Sequence, residues 1–237
     1  MKPRPTSILA VCVLLLAVAA LRAQSVSPII TEYKEKGEGK ILLVNDTLTP
    51  LVVLVQPQSF RINPDGSAAY RPLDPGIHVD LSTTSVRLQP KQEFYVFYKA
   101  RADNLPAWFT IYATFSPLQR GPGINLRIML PHTVYLYQKQ PLQRADINAG
   151  EATFDPATRH VFCDLENISK VYGRMREGSV EAGRESVSIG GFPMLPANPR
   201  HLDIEWTGKA APETMVFHFD KFDIRLPVKG QAPAEPH

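Results

Sequence analysis

Residues 124–137 read INLRIMLPHTVYLY, and this stretch decides the fold class. Ile124, Leu126, Ile128 and Leu130 occupy every second position, and Val134 and Leu136 keep that spacing beyond Pro131 and His132. A period of two is the pleat of a β-strand, which puts these side chains on one face. Asn125, Arg127 and Met129 then point the other way. Two readings fit. The strand is either half-buried in a core, or it lies at a sheet edge and offers its apolar side chains and unpaired N–H and C=O groups to another chain. The alternation is common to both.

The flanking sequence repeats the theme. Apolar runs at 41–44 and 51–55 are separated by Asn45-Asp46 and Pro50, and Asn63-Pro64-Asp65-Gly66 is a strong turn. Residues 85–90 alternate, while 93–98 and 108–115 (WFTIYATF) are aromatic and β-branched. Gly37-Glu38-Gly39-Lys40 and Gly121-Pro122-Gly123 read as hairpin turns. Short strands with turn residues between them spell a β-sandwich. The chain holds 22 prolines against 14 glycines, and the prolines fall between apolar runs, which argues against long helices.

A polar stretch at 138–149 (QKQPLQRADINA) has no periodicity. Beyond it the pattern restarts in shorter runs at 151–154, 160–165, 170–175, 185–189, 201–206 and 215–226. The expectation is an all-β protein of two immunoglobulin-like sandwiches in tandem. They span 24–140 and 150–228, joined by a linker at 141–149, with a disordered tail at 229–237.

The N-terminus sets the compartment. Lys2 and Arg4 precede an uncharged apolar run at 8–20, and Leu21-Arg22-Ala23 supplies a small residue for cleavage. That run is shorter than the roughly 20 residues of a membrane span and has the layout of a signal peptide removed after Ala23. No later stretch is long enough to span. The signal carries three of the 26 basic residues and no acid, which leaves 23 basic against 23 acidic residues. A balanced chain has no electrostatic footprint for nucleic acid. Of the two cysteines only Cys163 remains after cleavage, so no intrachain disulfide is expected and the fold rests on core burial.

Catalytic signatures are weak. The six histidines are scattered, and His160 and Cys163, three apart in a strand, face opposite ways. No G-x-S-x-G elbow is present, and neither glycine pair precedes a helix that could cradle phosphate. Nothing nominates a carboxylate pair, so no enzyme is expected. Two sequons, Asn45-Asp46-Thr47 and Asn167-Ile168-Ser169, concern only a eukaryotic secretory route.

The order of these motifs resembles the PapD-like periplasmic chaperones of pilus assembly. The resemblance rests on Leu43-Val44-Asn45-Asp46 and Pro50 before 51–55, Leu88-Gln89-Pro90, Leu105-Pro106-Ala107 leading into 108–115, and then 124–137. In the second half, 162–167 repeats the strand-then-Asn pattern, and Met194-Leu195-Pro196 resembles the loop before a late strand. The resemblance implies a periplasmic chaperone that caps secreted pilin-like subunits, with an outer-membrane usher as a second partner. It would do so by lending Ile124, Leu126, Ile128 and Leu130 to the subunit's open groove. No cofactor, metal or nucleotide is implied. The family fixes the subunit's terminal carboxylate with an Arg on the first strand and a Lys on the donor strand. Those positions fall on Ile30 (or Ile29) and Thr133 here, which offer no positive charge. That departure favours a rival reading, a structural or adhesive cell-surface component of the same fold without chaperone activity.

Overall fold

The computed structural model describes residues 24–118 and 126–230. Residues 1–23, read above as a signal peptide, residues 121–123, read as a turn, Ile124 and the residues beyond 230 lie outside the described residues.

Among the described residues the first half holds ten strands: β1 (Gln24–Ser27), β2 (Ile30–Lys34), β3 (Gly37–Asn45), β4 (Leu51–Ile62), β5 (Ala68–Pro72), β6 (Ile77–Leu81), β7 (Ser85–Leu88), β8 (Gln92–Ala102), β9 (Ala107–Pro117) and β10 (Ile128–Tyr137). One sheet has the order β1-β3-β8-β6, and the facing sheet has the order β2-β10-β9-β4-β5, with β7 also paired to β4. The chain changes sheets between β1 and β2, at Pro28 and Ile29. Leu43, Val53, Val96, Phe109, Phe115, Val134 and Leu136 fill the space between the sheets. Each such side chain contributes roughly 1.5–3 kcal/mol on burial, so alternate positions of β3, β4, β8, β9 and β10 hold this sandwich together.

The second half holds β11 (Ile147–Ala149), β12 (Ala152–Asp155), β13 (His160–Asn167), β14 (Gly173–Ala182), β15 (Glu185–Met194), β16 (Arg200–Glu205), β17 (Thr214–Phe219) and β18 (Asp223–Gly230). They follow the order β11-β13-β12-β18-β17-β14-β15, with β16 on β13. Trp206, Phe217, Met175, Met194 and Leu165 form this core. The protein is therefore an all-β pair of sandwiches.

Three details differ from the sequence reading. Residues 37–40 begin β3 and are not a hairpin turn. A Cβ at Gly39 would sit 2.4 Å from the Tyr33 hydroxyl and 2.7 Å from that of Tyr98, so these glycines make room for tyrosines inside a strand. The polar stretch at 141–149 is partly ordered: Arg144–Asp146 forms a single 3₁₀ turn, and β11 pairs with β13. Lys229 and Gly230 belong to β18, held by parallel pairing to Thr153 and Phe154 and by the Lys229–Glu151 ion pair.

The same buried fastening closes a loop in each half. Asn45 donates through Nδ2 to the carbonyls of Thr49 (2.9 Å) and Gln89 (3.0 Å), while its Oδ1 accepts from the backbone and hydroxyl of Thr47. Asn167 donates to Val171 (2.7 Å) and Met194 (2.9 Å) and accepts from the backbone and hydroxyl of Ser169. Both side chains are fully buried, and each satisfies carbonyls on two different segments.

Cys163 is a free thiol buried between Val161 and Leu165 on the inward face of β13. Burial pushes it up to about 12, and the neighbouring Asp164 adds to the effect. Native protein at neutral pH should therefore resist a thiol reagent and react fully only after denaturation. Rapid labelling of the folded protein would contradict this.

Candidate functional site: the open edge of β10 and the inter-domain cleft

Strand β10 has two different edges. Along one side it pairs with β9 without interruption, from Ile128↔Phe115 to Leu136↔Ala107. Along the other, β2 covers only Thr133 to Tyr137, in parallel. Among the described residues, the N-terminal half of β10, from Ile128 to His132, is therefore hydrogen-bonded to β9 alone; β1 lies near it without pairing, and its second edge is open. Its backbone groups on that side are a template for a further strand.

The apolar face of β10 leaves the core as it approaches this edge. Leu136, Val134 and His132 are buried, Leu130 is half-buried against the first core, and Ile128 is 36% exposed. Leu126, just before the strand, is 68% exposed. Met129 on the opposite face, with Ile29 and Ile30 where β2 begins, adds further exposed apolar surface. One row of side chains thus serves the core at one end and faces solvent at the other.

Ile30 and Thr133, the sequence-derived anchor positions, are brought together. They are direct partners in the β2–β10 register. The Thr133 N–H donates to Ile29 O at 2.7 Å, and its hydroxyl lies 3.2 Å from that of the buried Thr110. Ile30 is exposed and carries no polar group. This pair has nothing with which to hold an anion by charge.

Two residues along, Glu32 is engaged by groups that the sequence reading missed. Arg174 Nε donates to Glu32 Oε1 at 2.6 Å and the Tyr172 hydroxyl donates to the same oxygen at 2.8 Å. The Arg174–Glu32 pair is largely buried and bridges the two sandwiches. Tyr172 stacks on Tyr135 at 5.2 Å, and the Arg174 guanidinium lies over the Tyr135 ring. With Phe60 and Leu195 they form a small apolar cluster at the floor of the cleft. Burial raises both phenols, Tyr135 to about 12, so Tyr172 reaches Glu32 as a neutral donor. The β4–β5 turn adds a second tie, in which His201 N–H donates to Pro64 O at 2.8 Å.

His132 fastens the start of β2. Its Nδ1 lies 2.7 Å from Pro28 O, and a carbonyl only accepts, so Nδ1 carries the proton. Nε2 then accepts from the Tyr98 hydroxyl at 2.9 Å. Tyr98 in turn lies 3.0 Å from both the Tyr33 hydroxyl and Thr31 Oγ1. Burial lowers the His132 pKa, and the Pro28 hydrogen bond opposes this only partly, so the ring sits there neutral. No group of His, Cys, Asp and Glu that could hold a metal ion occurs among the described residues.

No family model matches the chain, and no curated protein matches its sequence. Solved structures do share its fold. The class 5 fimbriae chaperone CfaA aligns with 87% of this chain and 99% of its own, at a TM-score of 0.53 and 9% identity. The YadV chaperone aligns over 86% and 99%, at 0.55 and 12% identity. A chain of the complex of SafA pilin with the SafB chaperone from Salmonella enterica aligns over 87% and 97%, at 0.55 and 12% identity. The fold is that of the PapD-like chaperones.

Proposed function

We propose that this protein is an exported, periplasmic chaperone-like protein that binds and caps pilin-type subunits by adding a strand of its own to them. The open half-edge of β10 carries the reading, since it combines free backbone groups with exposed Leu126 and Ile128. The solved chaperones of the same fold support it, among them one complexed with a pilin. The partner lies along β10 and into the cleft above Tyr135 and Tyr172. No catalysis is involved, because the partner's own unfinished core supplies the driving force. The test is the soluble yield of a refolding pilin-type subunit with and without the purified chain. A stoichiometric soluble complex supports the proposal, and aggregation at the unassisted rate refutes it.

The Ile30–Thr133 pair favours a second reading, a cell-surface component of this fold that does not chaperone. Charge restoration separates the two. With Ile30→Arg and Thr133→Lys, a chaperone that already holds a subunit by its edge should gain roughly 10- to 100-fold in affinity for a subunit ending in a carboxylate, from one or two charge-assisted hydrogen bonds. Titration against the same subunit with an amidated C-terminus should show no gain. Equal affinities in all four combinations would favour the second reading.

A further inference from the structure

The open edge of β10 has a gap in its donors. Adjacent residues of a strand direct their N–H and C=O groups to opposite sides. Thr133 N–H donates to Ile29 O, so odd-numbered residues of β10 face the β2 side. The register with β9 runs from Ile128 to Leu136 without a shift, so this parity holds throughout the strand. Met129 and Pro131 therefore direct their backbone groups to the open edge, and Ile128, Leu130 and His132 direct theirs to β9. Proline has no N–H. Between Met129 and Thr133, whose N–H is already taken, the edge has one acceptor, Pro131 O, and no donor.

The position is telling in two ways. A proline is tolerated in a strand only where its missing donor faces no permanent neighbour, which is the condition of this edge. The same residue limits what can dock. A partner carbonyl opposite Pro131 would find no N–H, and the nearby exposed side chains of Ile29 and Ile30 offer no substitute. A buried carbonyl left unpaired is costly, so pairing ends where the donors end.

We propose that Pro131 is a built-in stop: an added strand, in extended conformation with alternating apolar residues, pairs with the edge as far as Met129, where its backbone pairing ends and any further residues run on unpaired. The proposal rests on the strand-addition reading and fixes its register and length. The same gap would limit how far the edge could pair with a second copy.

The probe is a blocked ten-residue peptide of alternating threonine and valine with a lysine at each end, and the measurement is its Kd for the full mature chain. Pro131→Val adds one donor and should tighten binding about 2- to 12-fold, the net worth of one hydrogen bond. Met129→Pro removes the last donor in β10 and should weaken binding by a comparable factor. By the same parity neither change breaks a bond to β9, so both variants should melt close to wild type, whereas Leu130→Pro should not. If Met129→Pro weakens binding and Pro131→Val does nothing, strand addition stands and the stop is overturned. A tighter Pro131→Val with an unaltered Met129→Pro overturns the register. Binding that is absent, or indifferent to both changes, overturns strand addition as well.

Discussion

Changing Leu126 and Ile128 together to serine should leave the fold intact and weaken capture of a subunit about 10- to 100-fold. A core strand would behave differently, since each substitution would remove a buried apolar group and leave a hydroxyl, at about 2–5 kcal/mol apiece. The pair would then consume most of a typical domain stability of about 5–15 kcal/mol. Leu126 is 68% exposed and the folded monomer has little to lose there, while Ile128, 36% exposed, should cost a modest part of the core penalty. Together the exposed parts of Leu126 and Ile128 amount to about one whole side chain, so a subunit that buries both gains roughly 1.5–3 kcal/mol in all, and their joint loss weakens binding about 10- to 100-fold. Thermal melting and subunit binding measured on one preparation decide the matter. Loss of folding in the double mutant would assign the strand to the core and remove the main support for the proposed function.

The second large effect concerns His132. Its folded pKa is lowered by burial, so the folded state keeps the ring neutral while the unfolded chain takes up a proton near the ordinary imidazole value of about 6.5. Stability from this residue is present in full above that pH and is lost as pH falls toward the folded pKa, by up to about 1.4 kcal/mol per unit. Carboxylates whose pKa values are lowered, such as Asp74 and Asp220, lose their contributions only in the acid range below about 4. Between pH 6.5 and 5 the fall should therefore trace mainly to His132. His132→Asn should flatten the stability profile in that window, at the cost of general stability, because the ring's buried hydrogen bonds to Pro28 O and the Tyr98 hydroxyl are lost. Exchange of the Thr133 amide reports the local consequence, since that N–H binds β2 and His132 holds the residue just before the bond. A profile with the same slope in wild type and variant would remove His132 from this role.

Much of this architecture was legible in the chain, and the reasons differ by element. The alternation at 124–137 made β10 plain, because period two survives whether a strand is core or edge. It could not say where the core ended, since exposure of Leu126 and Ile128 depends on how far β2 reaches along β10. β2 itself, Ile-Thr-Glu-Tyr-Lys, has no apolar alternation, and only the resemblance placed a strand at Ile30. Gly37 and Gly39 read as turn residues, when in fact they admit Tyr33 and Tyr98. The anchor positions Ile30 and Thr133 came from the resemblance, and the register sets them opposite one another. Nothing near Glu32 in the sequence names a partner for it. Its partner Arg174 lies 142 residues away, beyond the reach of any local pattern. The role of Pro131 needed the parity of a hydrogen bond that no sequence displays.

The twin asparagine fastenings carry a practical consequence for expression. Asn45 and Asn167 are also the acceptor residues of the two N-glycosylation sequons, and the Thr47 and Ser169 that complete those sequons are the groups that hold each side chain in place. A glycan needs the same amide nitrogen that here binds carbonyls of two different segments, in a site with no room for a sugar. In a host whose oligosaccharyl transferase meets the chain before it folds, modification and folding compete for the same two atoms. Every molecule modified at either would enter quality control unable to close that sandwich, so a eukaryotic secretory host should yield folded protein only from the unmodified fraction.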